Sequence, residues 1–193
     1  ANVSAEIVRG VDISISPSFQ ENLPGENLVY IVTVTNTGNV VDNYDVTVSY
    51  PEGWQVIYWF NFIDIPPSSS AQSELIVIIP ENAIPGTSEN ITVTAVSESD
   101  NTVTDSDTCI VHVKIVRGVE VSISPESRIG LPGENLTYTL TITNMGNVDE
   151  NYDLAVSDDE NWGPTLSESS LKSVQPGENV STTLSVIVST NAY

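Results

Sequence analysis

One cysteine, one histidine and five basic residues are all that this 193-residue chain has of each kind, and each scarcity closes off a class of function. A lone cysteine, Cys109, leaves no intrachain disulfide. It stands in the alternating row Cys109, Val111, Val113, Ile115 and is expected to be a buried core thiol. His112 alternates out of that row with no second histidine or cysteine to share a zinc ion, and no G-x-S-x-G motif accompanies it, so no enzyme is expected. Arg9, Lys114, Arg117, Arg128 and Lys172 are too scattered to track a phosphate backbone, which excludes nucleic acid as a partner. No apolar run is long enough to span a bilayer and no signal peptide is present, so direct membrane insertion is not expected.

Acid is abundant instead. Twenty-six Asp and Glu against five Lys and Arg give a formal charge of −21, the balance of an extracellular, salty or cation-rich setting or of simple colloidal solubility. Calcium is the one cofactor left open, with Asp149, Asp153, Asp158 and Asp159 as candidate ligands. No acidic run has the D-x-[DN]-x-[DN]-G spacing, however. The other clusters (Asp42 with Asp45; Glu98 and Asp100 with Asp105 and Asp107) read as solvated faces.

The dominant feature is a repeat. Leu23–Asp45 returns almost unchanged as Leu131–Asp153, and Ile7–Trp54 aligned on Ile115–Trp162 at an offset of 108 gives 29 identities in 48 positions. That period suits an independently folding sandwich better than a solenoid repeat. The division is a terminal strand stub (1–7), module 1 (8–115) and module 2 (116–193). In the stub, Val3, Ala5 and Ile7 align with Val111, Val113 and Ile115, the end of a last strand.

Seven strands are expected in module 1: 11–16, 27–36, 44–49, 54–63, 72–79, 90–97 and 104–115. Val11, Ile13 and Ile15 share one face. In the second copy Leu136, Tyr138, Leu140 and Ile142 alternate with threonines, which puts Leu28, Tyr30, Val32 and Val34 on the core side of the first. With turn signals between strands and no helical periodicity, the fold class is all-β: tandem immunoglobulin-like Greek-key β-sandwiches, the second lacking its last strands.

PGEN-x-x-Y-x-x-T-x-T-N-x-G-N, then Gly-Trp or Asn-Trp, then PGEN before a strand, then N-A-I-P-G and I-T-V-T-A, resembles the NEW3-type domain. These features are carried by Pro24–Asn39, Gly53-Trp54, Asn82–Gly86 and Ile91–Ala95, and again by Pro132–Asn147, Trp162 and Pro176–Val188. The resemblance implies an immunoglobulin-like module of archaeal and bacterial cell-surface proteins, also appended to some glycosidases. At Pro66-Pro67-Ser68 module 1 departs from the pattern, lacking the second PGEN.

Four N-x-S/T sequons, at Asn2, Asn90, Asn135 and Asn179, are glycosylation candidates in a secreted chain. The sharper signal is where the copies disagree. Val29 and Ile31 replace Thr137 and Thr139, and Ile76 replaces Ser185, while Ile78 stays apolar. On 54–63 the even-numbered Trp54, Val56, Tyr58, Phe60 and Phe62 are expected in the core, leaving Ile57, Trp59 and Ile63 outward. If the three strands are neighbours, Val29, Ile31, Ile57, Trp59, Ile76 and Ile78 form an apolar stripe on an outer face, a mark of protein contact.

Two functions follow as expectations. The first is a structural, extracellular cell-surface protein that self-assembles into a surface layer, sheath or filament, the incomplete second module reading either as a segment cut from a longer array, the plainer account, or as completed by strand donation between subunits. The alternative is an adhesin stalk or carbohydrate-binding accessory module that takes surface glycans, Trp59 and Tyr50 stacking on sugar rings.

Overall fold

In the computed structural model, which describes residues 5–191, the chain is all-β, and no described residue is helical. It divides between Lys114 and Ile115 into two compact units.

Unit 1 contains β1 (Val11–Ser16), β2 (Phe19–Asn22), β3 (Asn27–Asn36), β4 (Asp42–Ser49), β5 (Gln55–Tyr58), β6 (Phe62–Ile65), β7 (Ser70–Ile78), β8 (Ser88–Ser97) and β9 (Thr104–Val113). They form two sheets, β1-β3-β7-β5 and β2-β9-β8-β4-β6, antiparallel except where β2 runs parallel to β9. One core lies between the sheets, and period two places its side chains. Leu28, Tyr30, Val32 and Val34 of β3 meet Ile91, Val93 and Ala95 of β8 and Cys109, Val111 and Val113 of β9, all buried.

Two expectations about strands are corrected. Phe19–Asn22 is a strand although FQEN has no apolar alternation. It forms because β9 offers it an edge, with Ile110 N donating to Ser18 O at 2.8 Å and Lys114 N to Asn22 O at 2.8 Å. The expected 54–63 strand is two strands in different sheets, since the chain crosses over after Tyr58. A stair of aromatic rings carries the crossing, Tyr58 to Phe60 at 4.7 Å and Phe60 to Phe62 at 5.6 Å. Phe62 is therefore buried as expected, while Tyr58, at the point of departure, is exposed.

The repeated motif is more than a turn. Gly25 sits at φ +84°, where a side chain would be strained, and its N–H donates to Ile79 O at 2.9 Å. Thr37-Gly38-Asn39 grips the chain entering the unit. Thr37 N donates to Gly10 O and Asn39 N to Val8 O, and the Asn39 side chain bonds Val8 N and Glu6 O. A Cβ on Gly38 would stand 2.6 Å from Val8 O, so only glycine permits this approach.

Unit 2 contains β10 (Val119–Ser124), β11 (Asn135–Asn144), β12 (Glu150–Asp153), β13 (Thr165–Leu166), β14 (Ser170–Val174) and β15 (Asn179–Ile187). Its sheets are β10-β11-β15-β13 and the pair β12-β14. The first repeats β1-β3-β7-β5 and the second repeats β4-β6, but among the described residues nothing takes the places of β2, β8 and β9. The inner face of the larger sheet is open as a result. Val121 is 56% and Ile123 41% exposed, where Ile13 and Ile15 at the same positions of unit 1 are each 4%. A hollow of about 580 Å³ lies between β10 and the segment 153–158, and a second of about 320 Å³ is lined by residues including Ile129, Leu136, Trp162 and Val188.

Candidate association surface

Register decides which outward side chains of unit 1 meet. Val29 on β3 lies opposite Ile76 on β7, and Ile76 lies opposite Ile57 on β5, so the three form one row across three strands. Ile31 follows Val29 two residues along β3, facing Glu74. Ile78 follows Ile76 along β7, between Asn27 and Gln55. Side chains on neighbouring strands at this register are within contact reach directly and on the diagonal. Val29 is 48% exposed and Trp59 81%, while Ile31, Ile57, Ile76 and Ile78 are half-buried by one another and by flanking residues. Trp59 lies just past β5, its carbonyl accepting from Ser73 Oγ at 3.3 Å. Five of the six residues of the expected stripe thus belong to one sheet, and Trp59 lies just past the end of its β5. Ile63 does not belong to that sheet: it sits on β6 in the other sheet, exposed on a separate face. Tyr50, just past β4, also belongs with that second sheet, and no contact pairs it with Trp59.

Unit 2 supplies the control within the same chain. The corresponding row reads Thr137, Ser185, Thr165. Here Thr141 Oγ1 and Ser181 Oγ are 3.1 Å apart, and Thr143 Oγ1 donates to Asn179 Oδ1 at 2.7 Å. The same two positions are polar in unit 1, where Thr35 Oγ1 lies 2.8 Å from Ser70 Oγ and Gln72 Nε2 donates to Thr33 Oγ1 at 3.1 Å, and the position of Ile78 is apolar in both, as Ile187. The two outer faces differ at the row Val29–Ile76–Ile57 and at Ile31, against Thr137, Ser185, Thr165 and Thr139.

The other candidate residues are scattered. Asn90, Asn135 and Asn179 are exposed; Asn135 and Asn179 open β11 and β15, whereas Asn90 lies inside β8 rather than at a turn, opposite Ile110. Asn2 is outside the described residues. The four calcium candidates are not brought together. Asp153 Oδ1 accepts from Ser170 Oγ and stands 3.7 Å from Lys172 Nζ, while Asp158 accepts from Gly163 N. Among the described residues no three His, Cys, Asp or Glu side chains form a group that could hold a metal ion. His112 Nδ1 lies 2.9 Å from Ser88 Oγ and stacks on Phe19, with no carboxylate bonded to it.

Two carboxylates of the supposed solvated faces have structural work instead. Asp105 and Asp107 are half-buried and accept from Ile13 N and Ile15 N, each at 2.9 Å. They seal the free edge of β1, whose outward N–H groups would otherwise invite another strand. Beyond the end of β1, Gln20 Nε2 donates to Val29 O at 2.7 Å and Asn22 Nδ2 to Asn27 O at 3.2 Å, sealing β3 in the same way. The signal was present in the alternation, since Asp105 and Asp107 fall in the same parity as Cys109 and Val111. Acids in an inward row are a sign of a capped edge.

Cys109 is fully buried, and burial pushes its thiol up to about 11. Thiolate is the reactive form, so no reaction with a disulfide reagent is expected at pH 8 in the native protein. One equivalent should react after unfolding in urea. Prompt labelling of the folded chain would place this thiol elsewhere.

No family model matches the chain, and no curated protein matches it. Among solved structures it is similar to the secreted serine protease VesC from Vibrio cholerae, at 11% identity and a TM-score of 0.42, covering 95% of this chain and 48% of that one. The chain thus spans about half of that protease's length. It is also similar to a protein of unknown function from Porphyromonas gingivalis W83, at 15% identity and a TM-score of 0.38, covering 91% of this chain and 83% of that one. Domains 5–6 of the S-layer protein SbsC share 15% identity at a TM-score of 0.34, covering 97% and 88%. Likenesses this distant carry nothing about what the chain does.

Proposed function

We propose that the chain is a structural part of an extracellular cell-surface protein, built of NEW3-type sandwich modules, that self-associates through the outer face of the β1-β3-β7-β5 sheet. The row Val29–Ile76–Ile57, with Ile31, Ile78 and Trp59 around it, carries this reading. A sandwich needs only its inner face apolar, and unit 2 shows that the same sheet is made with polar residues in that row. Apolar surface kept on one copy alone is retained for contact rather than for folding. The formal charge of −21 fits the same role, since charge of one sign elsewhere on the surface confines association to the patch that lacks it.

The test is the double variant Trp59→Ser/Ile76→Ser. Light scattering on a sizing column is expected to show association of the wild-type chain, rising with concentration and with salt, and its loss in the variant. Far-UV circular dichroism should be unchanged. Association of equal strength in a folded variant would remove the outer face from consideration.

A further inference from the structure

We infer that two copies of this chain join edge to edge along β5, antiparallel about a two-fold axis, so that their β1-β3-β7-β5 sheets become one. The inference rests on the reading of the outer face as an association surface, and it names the edge by which a second copy enters.

The two sheets of unit 1 have an edge at each end, and all but one of these edges carry a guard of the kind that stops strands from pairing indiscriminately. β1 is sealed by Asp105 and Asp107, which accept from Ile13 N and Ile15 N. β2 carries Glu21, paired with Lys114 at 3.5 Å. β6 carries Asp64 at φ 52° and meets β4 through a shifted register. β5 has none of these. It pairs with β7 in unbroken register over Gln55–Tyr58, and no charged residue, proline or glycine occurs from Trp54 to Ile63. Among the described residues no side chain bonds its main chain; Ser73 Oγ, on the carbonyl of Trp59, acts beyond its end.

Unit 2 again gives the comparison. Pro164 stands at the position of Val56, and β13 is cut down to Thr165–Leu166. Proline in an edge strand removes a donor from the ladder. The copy with the polar row has its edge stopped, and the copy with the apolar row has it open.

Charge selects the occupant. On a chain of net charge −21 most self-contacts set acid against acid, and like charges directly across two strands are destabilising. Along β5 no such pair arises, so a second copy is admitted there. The row then sets the register. A two-fold at Ile57 puts Ile57 opposite the same residue of the second copy, Gln55 opposite its Trp59, and Val56 opposite its Tyr58. Side chains directly opposite share a face, so Val29–Ile76–Ile57 runs on into Ile57–Ile76–Val29 of the second copy. Trp59, 81% exposed, lies over the second copy's Gln55, and Tyr58, exposed where its chain leaves the sheet, gains Val56 as an apolar neighbour. Four residues of main chain are a small contact alone, and these side chains add the apolar burial. The contact is isologous, so it closes as a dimer whose doubled outer face stays free for further association.

The test uses cysteines placed one at a time in the 193-residue chain, whose own Cys109 is buried. A disulfide needs Cα atoms within about 7 Å, which opposite residues of an antiparallel pair satisfy. Ile76, one strand further in, is three strand spacings, roughly 14 Å, from its own copy. Under mild oxidation Ile57→Cys is expected to give a linked dimer on a non-reducing gel, and Ile76→Cys is not. A mixture of Gln55→Cys and Trp59→Cys should link across copies. Tyr58→Glu leaves the outer row intact and puts an acid on the edge; it should abolish the Ile57→Cys link with circular dichroism unchanged. Val56→Pro, which copies unit 2, should do the same. Ile76→Cys linking as readily as Ile57→Cys, or an Ile57→Cys link that survives Tyr58→Glu, would overturn the inference. The two surfaces fail separately. Association lost in Trp59→Ser/Ile76→Ser but accompanied by no Ile57→Cys link removes the edge and keeps the face. A link in a chain whose association ignores Trp59→Ser/Ile76→Ser does the reverse.

Discussion

Replacing Asn36 by alanine is expected to destabilise unit 1 by about 4 kcal/mol. Its side chain is fully buried at the end of β3 and makes three bonds that nothing else can make. Nδ2 donates to Val40 O and to Ile65 O, both at 2.8 Å, and Oδ1 accepts from Gly38 N at 2.9 Å. Truncation leaves all three backbone groups unpartnered. Each costs about 1–3 kcal/mol when buried, and the lower part of that range gives the total. Urea unfolding in a Trp162→Phe background, with Trp54 and Trp59 as reporters, should show the midpoint of unit 1 fall by roughly 2–3 M. Asn144 makes the same three bonds in unit 2, to Val148 O, Val174 O and Gly146 N. Asn144→Ala should therefore leave the transition of unit 1 where it is. A loss below about 1.5 kcal/mol at Asn36 would mean that water replaces the side chain and that the site is less closed than its geometry implies.

Asn36 also marks how far the sequence could be read. The alternation Leu28, Tyr30, Val32, Val34 carries the expected strand to position 36, its next inward residue, and Thr37-Gly38-Asn39 reads as the turn that follows. Both are true: the strand's inward face ends on a side chain that makes the turn's bonds from inside. The alternation was legible because each of these strands has one wet and one dry face. Thus the all-β class and the core rows followed from period two and the comparison of copies. What did not follow was decided by partners distant in sequence. β2 exists only because β9 presents an edge. The split between β5 and β6 depends on their partners, β7 in one sheet and β4 in the other, and the aromatic-rich run Tyr58–Phe62 hides it. Asp105 and Asp107 looked like solvent-facing acids because their acceptor role depends on β1, 92 residues away. Composition alone ranks such carboxylates with the rest.

The second large effect is expected at Asp42, whose carboxylate is almost wholly buried. Burial by itself would raise its pKa. Four interactions outweigh that and hold it below the ordinary aspartate value: Ser97 Oγ donates to Oδ2 at 2.6 Å, Ser99 Oγ to Oδ1 at 2.9 Å, Asn43 N to Oδ1 at 2.9 Å, and Arg9 Nη1 stands 3.0 Å from Oδ2. A depressed folded pKa contributes stability that is fully present above the unfolded value, near pH 4, and lost as pH falls through the folded one. Lowering the net charge of −21 on acidification also relieves self-repulsion, which acts oppositely. The two terms separate in a variant. Asp42→Ala should cost unit 1 about 3 kcal/mol at pH 7, the lower end for breaking a buried pair, since Arg9 keeps 24% of its side-chain surface in water. Below pH 4 that gap should narrow, leaving the variant with a flatter or rising stability as acid is added. The twin pair, Arg117 with Glu150, leaves Arg117 63% exposed, so Glu150→Ala should cost unit 2 under about 1 kcal/mol. Parallel pH profiles for wild type and Asp42→Ala between pH 7 and 3 would mean that Asp42 is not the group that titrates. With unequal losses and converging profiles, the ion pair at the entry of unit 1 is what couples its folding to protons.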